Sequence, residues 1–146
     1  MTSALWLVPH DLTDTSNAAA VEAARMASAC GGRLLMLNVH PREERAPFER
    51  DGKETFELEE NRRTQLRAIA ARLRAEHPGL EIDVEVLPGD PKARILEEAE
   101  RTNATHIVVG THDRKGLERL VLGSVAEAIV QRARVPVVVI KAAAGR

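Results

Sequence analysis

The sequence predicts a single α/β domain: an open, mainly parallel sheet of about five strands with helices on both faces. Three observations carry this. Short apolar runs of strand length alternate with longer segments of helical spacing. Cap and turn residues punctuate each change of period. A length of 146 residues suits one core.

The elements read in order along the chain. Ala4-Leu5-Trp6-Leu7-Val8 is a buried strand. Residues 17–29 form a helix, with a polar start at Thr13 to Ser16 and a stop at Gly31-Gly32. Arg33-Leu34-Leu35-Met36-Leu37-Asn38-Val39 is the second strand. Residues 41–54 carry Pro41, Pro47 and Gly52 among charges and read as a mobile loop. A helix follows from about Thr55 to Glu76, with Leu66, Ile69, Ala70 and Leu73 at helical spacing and His77-Pro78-Gly79 as its stop. Its charged start reads as a solvated face.

Glu81-Ile82-Asp83-Val84-Glu85-Val86-Leu87 alternates, as an outer strand with one more exposed face should. Asp90-Pro91 starts the next helix: the carboxylate caps free N–H groups and Pro suits the first helical position. Ile95, Leu96 and Ala99 form its apolar face, and Asn103 ends it. His106-Ile107-Val108-Val109 and Val135-Pro136-Val137-Val138-Val139-Ile140 are the last strands, with Pro136 at a strand start or edge. Residues 125–132 have a helical pattern, and 142–146 read as a tail. Domain organisation is therefore one unit over residues 1–146.

Composition excludes several function classes. Hydrophobic content of 44% with 29% charged residues is ordinary for a globular protein. Twenty-one basic and 22 acidic residues, net −1, supply no electrostatic groove for nucleic acid. Aromatics at 2% supply no base-stacking platform. No apolar run approaches the ~20 residues of a membrane span, and the N-terminus reads as no signal peptide. Cys30 is the lone cysteine, which fits a cytoplasmic, reducing setting. Beside Gly31 at a helix end, it is expected to be a small buried residue.

Ligands of open α/β sheets bind at the carboxyl ends of strands, where strand order reverses. Three segments fall there: Pro9-His10-Asp11, Asn38-Val39-His40, and the loop opened by Gly110-Thr111-His112-Asp113-Arg114-Lys115-Gly116. That loop runs on to Leu122-Gly123-Ser124 and a helix start, an arrangement suited to holding an anion. Gly110 would let the backbone approach a ligand. Gly123 and Ser124 would offer N–H groups and a hydroxyl to phosphate oxygens. Asp11 would accept from ribose hydroxyls or a base amine, and Arg114 and Lys115 would neutralise phosphate charge. Each has a plain alternative: Ser124 with Glu127 forms a Ser-x-x-Glu capping box, Gly110 is a turn residue, and Asp11 caps the first helix or its loop.

The 110–124 segment resembles the signature of the universal stress protein family, whose nucleotide-binding members carry Gly-x-x-Gly, nine residues, then Gly-Ser or Gly-Thr. Gly110, Gly123 and Ser124 match that spacing, and Gly116 is similar to a further common glycine; Asp113 stands where the second glycine would be. Val8-Pro9-His10-Asp11, Gly89-Asp90-Pro91 and Arg134-Val135-Pro136-Val137-Val138-Val139 are also family-like. The resemblance implies a Rossmann-like fold with strand order 3-2-1-4-5. It also implies ATP or a related adenine nucleotide as ligand, held by Asp11, Val39, Gly110, His112, Asp113, Gly116, Gly123 and Ser124. A homodimer through the edge run Val135-Pro136-Val137-Val138-Val139-Ile140 and a role as stress-response sensor or regulator complete that expectation.

Asp113 qualifies the ligand. At ~4 Å and an effective dielectric of ~20, its carboxylate and a phosphate repel by about 4 kcal/mol before screening. It therefore either weakens ATP binding or recruits a divalent cation, Mg²⁺ or Mn²⁺, between the two anions. A stress-protein dimer that binds no nucleotide and works through protein contacts is the alternative function. A slow ATPase or metal-dependent enzyme is a third reading. No P-loop, no dinucleotide fingerprint and no nucleophile–base pair is present, so no catalytic residue is assigned. His10, His40 and His112 all fall near strand carboxyl ends and suggest convergence on Zn²⁺. The resemblance makes His112 a loop residue instead, and no metal site is assigned.

Overall fold

A computed structural model describes residues 3–41, 53–111 and 121–141 of the chain. The order of elements is β1 (Leu5–Pro9), α1 (Asp14–Cys30), β2 (Arg33–His40), α2 (Lys53–Glu76), β3 (Ile82–Pro88), α3 (Pro91–Arg101), β4 (His106–Gly110), α4 (Ser124–Arg132) and β5 (Val137–Ile140). These strands form one sheet in the order β3-β2-β1-β4-β5, and every pairing is parallel. The predicted α/β architecture and strand order are thus observed. The order reverses at β1, which lies between β2 and β4 and opens a crevice at the strand carboxyl ends.

The strands bury both faces. Trp6, Val8, Leu34, Met36 and Ile82 point to one core, covered by α1 and α2; Leu5, Leu7, Leu35, Leu37, Ile107 and Val109 point to the other, covered by α3 and α4. Alanines 19, 20, 23, 24 and 27 make the buried stripe of α1. Small residues at helical spacing let this helix lie close to the sheet. Thr13 caps its start, the hydroxyl accepting from the Ser16 N–H, and Gly31 ends it at φ 74°, a left-handed conformation that glycine adopts without penalty.

Asp90 and Pro91 start α3 as the sequence predicts, with the Asp90 carboxylate accepting from the Lys92 N–H. The helix ends at Arg101, and Asn103 follows at φ 55°. Edge strand β3 buries only Ile82 and Val86 and leaves its other residues partly or fully exposed, as an outer strand does, without strict alternation. At the other edge, β5 begins at Val137, later than its apolar run suggests. Pro136 has no N–H to join the ladder; it contributes only its carbonyl, which accepts from the Ile107 N–H at 3.0 Å.

Two sequence expectations are corrected. Cys30 is exposed at the end of α1, its thiol lying 3.7 Å from the Ala27 carbonyl, because the buried stripe of α1 ends at Ala27. The proposed capping box at Ser124 is absent. Gly123 is the N-cap of α4 and has no side chain, so Ser124 falls one position too late to cap the helix. Most of the proposed loop at 41–54 and the tail at 142–146 lie outside the described residues. No described helix is long and apolar enough to cross a membrane.

Candidate functional site

A cavity of about 290 Å³ opens at the carboxyl ends of β1, β2 and β4, against the starts of α1 and α4. It gathers five of the residues proposed for nucleotide binding, Asp11, Val39, Gly110, Gly123 and Ser124. They are far apart in the chain and meet only because β1 lies beside both β2 and β4. His112, Asp113 and Gly116, with Arg114 and Lys115, lie outside the described residues.

The floor is apolar, formed by Leu37, Val39, Ile95, Val109 and Ile129. Val39 is half-buried at the end of β2 and offers one face to the cavity. The wall formed by the start of α4 is polar in a different way. The first intrahelical bond runs from the Glu127 N–H to the Gly123 carbonyl at 2.9 Å, and no side chain among the described residues caps the helix. The N–H groups of the first turn therefore have no intrahelical acceptor, and the positive end of the helix dipole faces the cavity.

Gly110 has a packing reason for being glycine. A methyl group there would stand 2.6 Å from the Thr15 carbonyl oxygen and 2.7 Å from Thr15 Cγ2. The first turn of α1 closes on the end of β4 through this contact. The turn reading of Gly110 gives way to close backbone approach.

Asp11 closes its turn through one oxygen. Oδ1 accepts from the Thr13 hydroxyl at 2.5 Å, the Ser16 hydroxyl at 2.6 Å and the Thr13 N–H at 3.2 Å. Thr13 in turn caps α1, so the loop alternative for Asp11 is realised. Among the described residues nothing donates to Oδ2, and Asp11 lines the cavity. Partial burial pushes the carboxyl up, but the Ser16 and Thr13 hydrogen bonds outweigh it and hold Asp11 below the ordinary carboxylate value.

His10, which the sequence suggests only as a metal ligand, organises this turn. It is 2% exposed. Nδ1 accepts from the Leu12 N–H at 3.0 Å, and Nε2 contacts Asn17 Oδ1 at 2.9 Å. A backbone N–H only donates, so Nδ1 is the bare nitrogen and Nε2 carries the proton given to Asn17. Leu12 is held at φ 67°, left-handed for a residue with a bulky side chain. That conformation costs about 1–2 kcal/mol. Burial holds the His10 imidazole below the ordinary histidine value, while the Asn17 bond and the Asp11 charge act the other way.

The segment is also bolted to β2. The His10 N–H donates to the Leu37 carbonyl at 2.8 Å. Buried Asn38 donates to the His10 carbonyl at 2.8 Å and accepts from Arg62 at 3.1 Å, linking α2 to the cavity wall. Only the run Asp11-Leu12-Thr13-Asp14-Thr15-Ser16 signalled any of this, because Asp with following hydroxyls favours a side-chain-closed turn.

His10 and His40 are each engaged elsewhere, and His112 lies outside the described residues. Both His10 nitrogens are committed, and His40 is buried with Nε2 3.0 Å from Glu59 Oε1. Among the described residues no group of three or more His, Cys, Asp or Glu is arranged to hold a metal ion.

The chain matches the family model described as the universal stress protein family over residues 6–141. It is 48% identical over 67 residues to universal stress protein MJ0531 of Methanocaldococcus jannaschii, which is 46% of this chain and 39% of that protein. It is 34% identical over 79 residues to stress response protein NhaX of Bacillus subtilis, 54% of this chain and 48% of that protein. The matched segments thus span under half the length of both relatives. Among solved structures, universal stress protein UspA from Lactobacillus plantarum superposes with a TM-score of 0.78 at 24% identity, covering 96% of this chain and 99% of that one. A universal stress protein in complex with cAMP gives a TM-score of 0.67 at 22% identity, covering 96% and 98%. The Archaeoglobus fulgidus universal stress protein in complex with dAMP gives 0.69 at 24%, covering 97% and 100%. The likeness to these structures is one of fold, and the family match covers nearly the whole chain: this protein belongs to the universal stress protein family.

Proposed function

We propose that the protein binds an adenine nucleotide in the cavity at the strand carboxyl ends and acts as a cytoplasmic stress-response sensor or regulator. The observation that carries this reading is the convergence of Asp11, Val39, Gly110, Gly123 and Ser124 on one cavity. The apolar floor around Val39 suits the face of a base. Asp11 Oδ2 suits a ribose hydroxyl. The uncapped start of α4, with the Ser124 hydroxyl beside it, suits a phosphate. At about 290 Å³ the cavity is near the small end of ligand sites, roughly 300–1,000 Å³. That size favours a nucleoside with its first phosphate as the part held most closely. The relatives crystallised with cAMP and dAMP support an adenine ligand.

ATP is the ligand the family signature implies, and Asp113 bears on it. A divalent cation, Mg²⁺ or Mn²⁺, would reconcile that carboxylate with the outer phosphates. The test is calorimetric titration of the protein with ATP, with and without Mg²⁺ or Mn²⁺, repeated with Asp113→Gly. Binding by the wild type supports the reading, and metal-dependent binding lost in Asp113→Asn supports the cation. Absence of wild-type binding in every condition overturns it.

A second reading rests on the sheet edge. Val139 on β5 and Val130 on α4 are exposed at 38% and 43%. An apolar edge strand tends to pair, and pairing with a second copy would bury it in a homodimer. Such a dimer would work through protein contacts if the cavity binds no nucleotide. Sedimentation against Val139→Lys tests it: a dimer that becomes monomeric supports the edge contact, and a monomeric wild type refutes it.

A further inference from the structure

We propose that His10 is a positioning residue for the cavity and that a proton added at its Nδ1 switches the site off. The neutral ring holds the Leu12 N–H and with it the turn that presents Asp11. The protonated ring loses that acceptor and draws the free Asp11 oxygen onto itself. The consequence for a ligand rests on the nucleotide reading; the hold of the ring on the turn does not.

The geometry leaves little alternative for the proton. Nε2 already carries one and gives it to Asn17 at 2.9 Å, so a second must enter at Nδ1. There it meets the Leu12 N–H, placed 3.0 Å away, donor against donor. Leu12 stays at φ 67° because its surroundings over-determine it, and this hydrogen bond is one of the restraints. The Asp11 carboxylate, next in the chain, is the anion whose charge acts on the ring. Asp11 Oδ1 is engaged by Thr13 and Ser16, so a new bond from the ring would fall to Oδ2 of this cavity-lining residue.

No other titrating group among the described residues competes at this position. Of the residues lining the cavity, only His10 and Asp11 titrate, and the facing residues of α4 (Ser124, Val125, Ala126) are uncharged. On the side of β2 and α2, His40 is paired with Glu59, and Arg62 reaches the His10 carbonyl only through Asn38. Burial disfavours the charged ring, so the switch falls on the acid side of the ordinary histidine value. Asp11 is held low and stays ionised through that range.

Nitrogen-15 NMR of the ligand-free protein, taken from pH ~7.5 down to ~4.5, reads the device directly. The ring nitrogens are expected to report a bare, hydrogen-bonded Nδ1 at neutral pH. The Leu12 amide should lose its exchange protection with the same midpoint as ring protonation. His10→Asn places an amide oxygen where Nδ1 stands but takes up no proton, so Leu12 should stay protected throughout. AMP is the binding probe: its affinity should fall about three- to tenfold across the midpoint in the wild type and stay level in His10→Asn. Protection of Leu12 that persists after the ring is protonated overturns the proposal, as does a ring that fails to titrate before global unfolding. Equal pH dependence in His10→Asn also overturns it. If AMP binds neither protein at neutral pH, the ligand-free spectra still decide the switch. If His10→Asn does not fold, the wild-type spectra alone decide it.

Discussion

Gly110 rests against the backbone of Thr15, with room for no side-chain atom: a methyl group would come to 2.6 Å from the Thr15 carbonyl oxygen. The oxygen belongs to the first turn of α1, so relief requires moving the helix or the end of β4. Gly110→Ala is therefore expected to lower stability by about 1–3 kcal/mol with no ligand present. Urea denaturation measures this. Unchanged stability with weakened nucleotide binding would return Gly110 to a purely ligand-facing role.

Leu12 gives the opposite sign. Its left-handed conformation costs about 1–2 kcal/mol, and glycine removes that strain while adding about 0.5–1 kcal/mol of chain entropy to be lost on folding. Leu12→Gly should be at least as stable as the wild type, and Leu12→Val, with its branched Cβ, less stable. The two urea midpoints check the order, and equal losses in both would show that the Leu12 side chain, not its backbone, matters.

These two residues illustrate what was legible in the sequence. Gly110 was recognisable as special, but the reason was not, because the contact with Thr15 spans 95 residues and exists only after β1 and β4 pair. The strands were legible because runs such as Leu34-Leu35-Met36-Leu37 are buried on both faces. The starts of α1 and α3 were legible from local chemistry at Thr13 and Asp90. The start of α4 was misread by one residue, because Ser124 with Glu127 satisfies the capping pattern while the backbone places Gly123 at the cap. Cys30 was misplaced because a small sulfur residue at a helix end follows the buried stripe only if the stripe reaches that far. The hold of His10 on Leu12 was invisible, since no pattern of residue types announces a histidine nitrogen accepting from a backbone N–H two residues on.

Asn38 supplies a third prediction. It is 2% exposed and satisfies both the His10 carbonyl and Arg62. Asn38→Leu keeps the heavy-atom count but leaves the His10 carbonyl without its donor, at about 1–3 kcal/mol for a buried group left unsatisfied. Thermal unfolding should show the loss. A neutral outcome would mean that water replaces the amide.

Acid stability follows from Asp11 and His10 with the signs worked out. The folded-state value of Asp11 is depressed, so its contribution is present above the unfolded value, near 3.8, and is lost as pH falls through the folded value. His10 is also depressed: the unfolded chain takes up its proton first, so stability declines as pH falls from about 6.5 through the folded value. Urea midpoints should therefore drop in two stages. His10→Asn should remove the upper stage and Asp11→Asn the lower. A single stage unaffected by either variant would contradict the hydrogen-bond roles assigned to them.

An adenine nucleotide is proposed to occupy the cavity where Asp11, Val39, Gly110, Gly123 and Ser124 meet. Titration of nitrogen-15-labelled protein with AMP at neutral pH, followed by amide shifts, tests it most directly. Saturable shifts concentrated at those five residues, weakened in Asp11→Asn, are expected. Absence of saturable shifts, or shifts gathered at the opposite end of the sheet around Arg132 and Arg134, would contradict it.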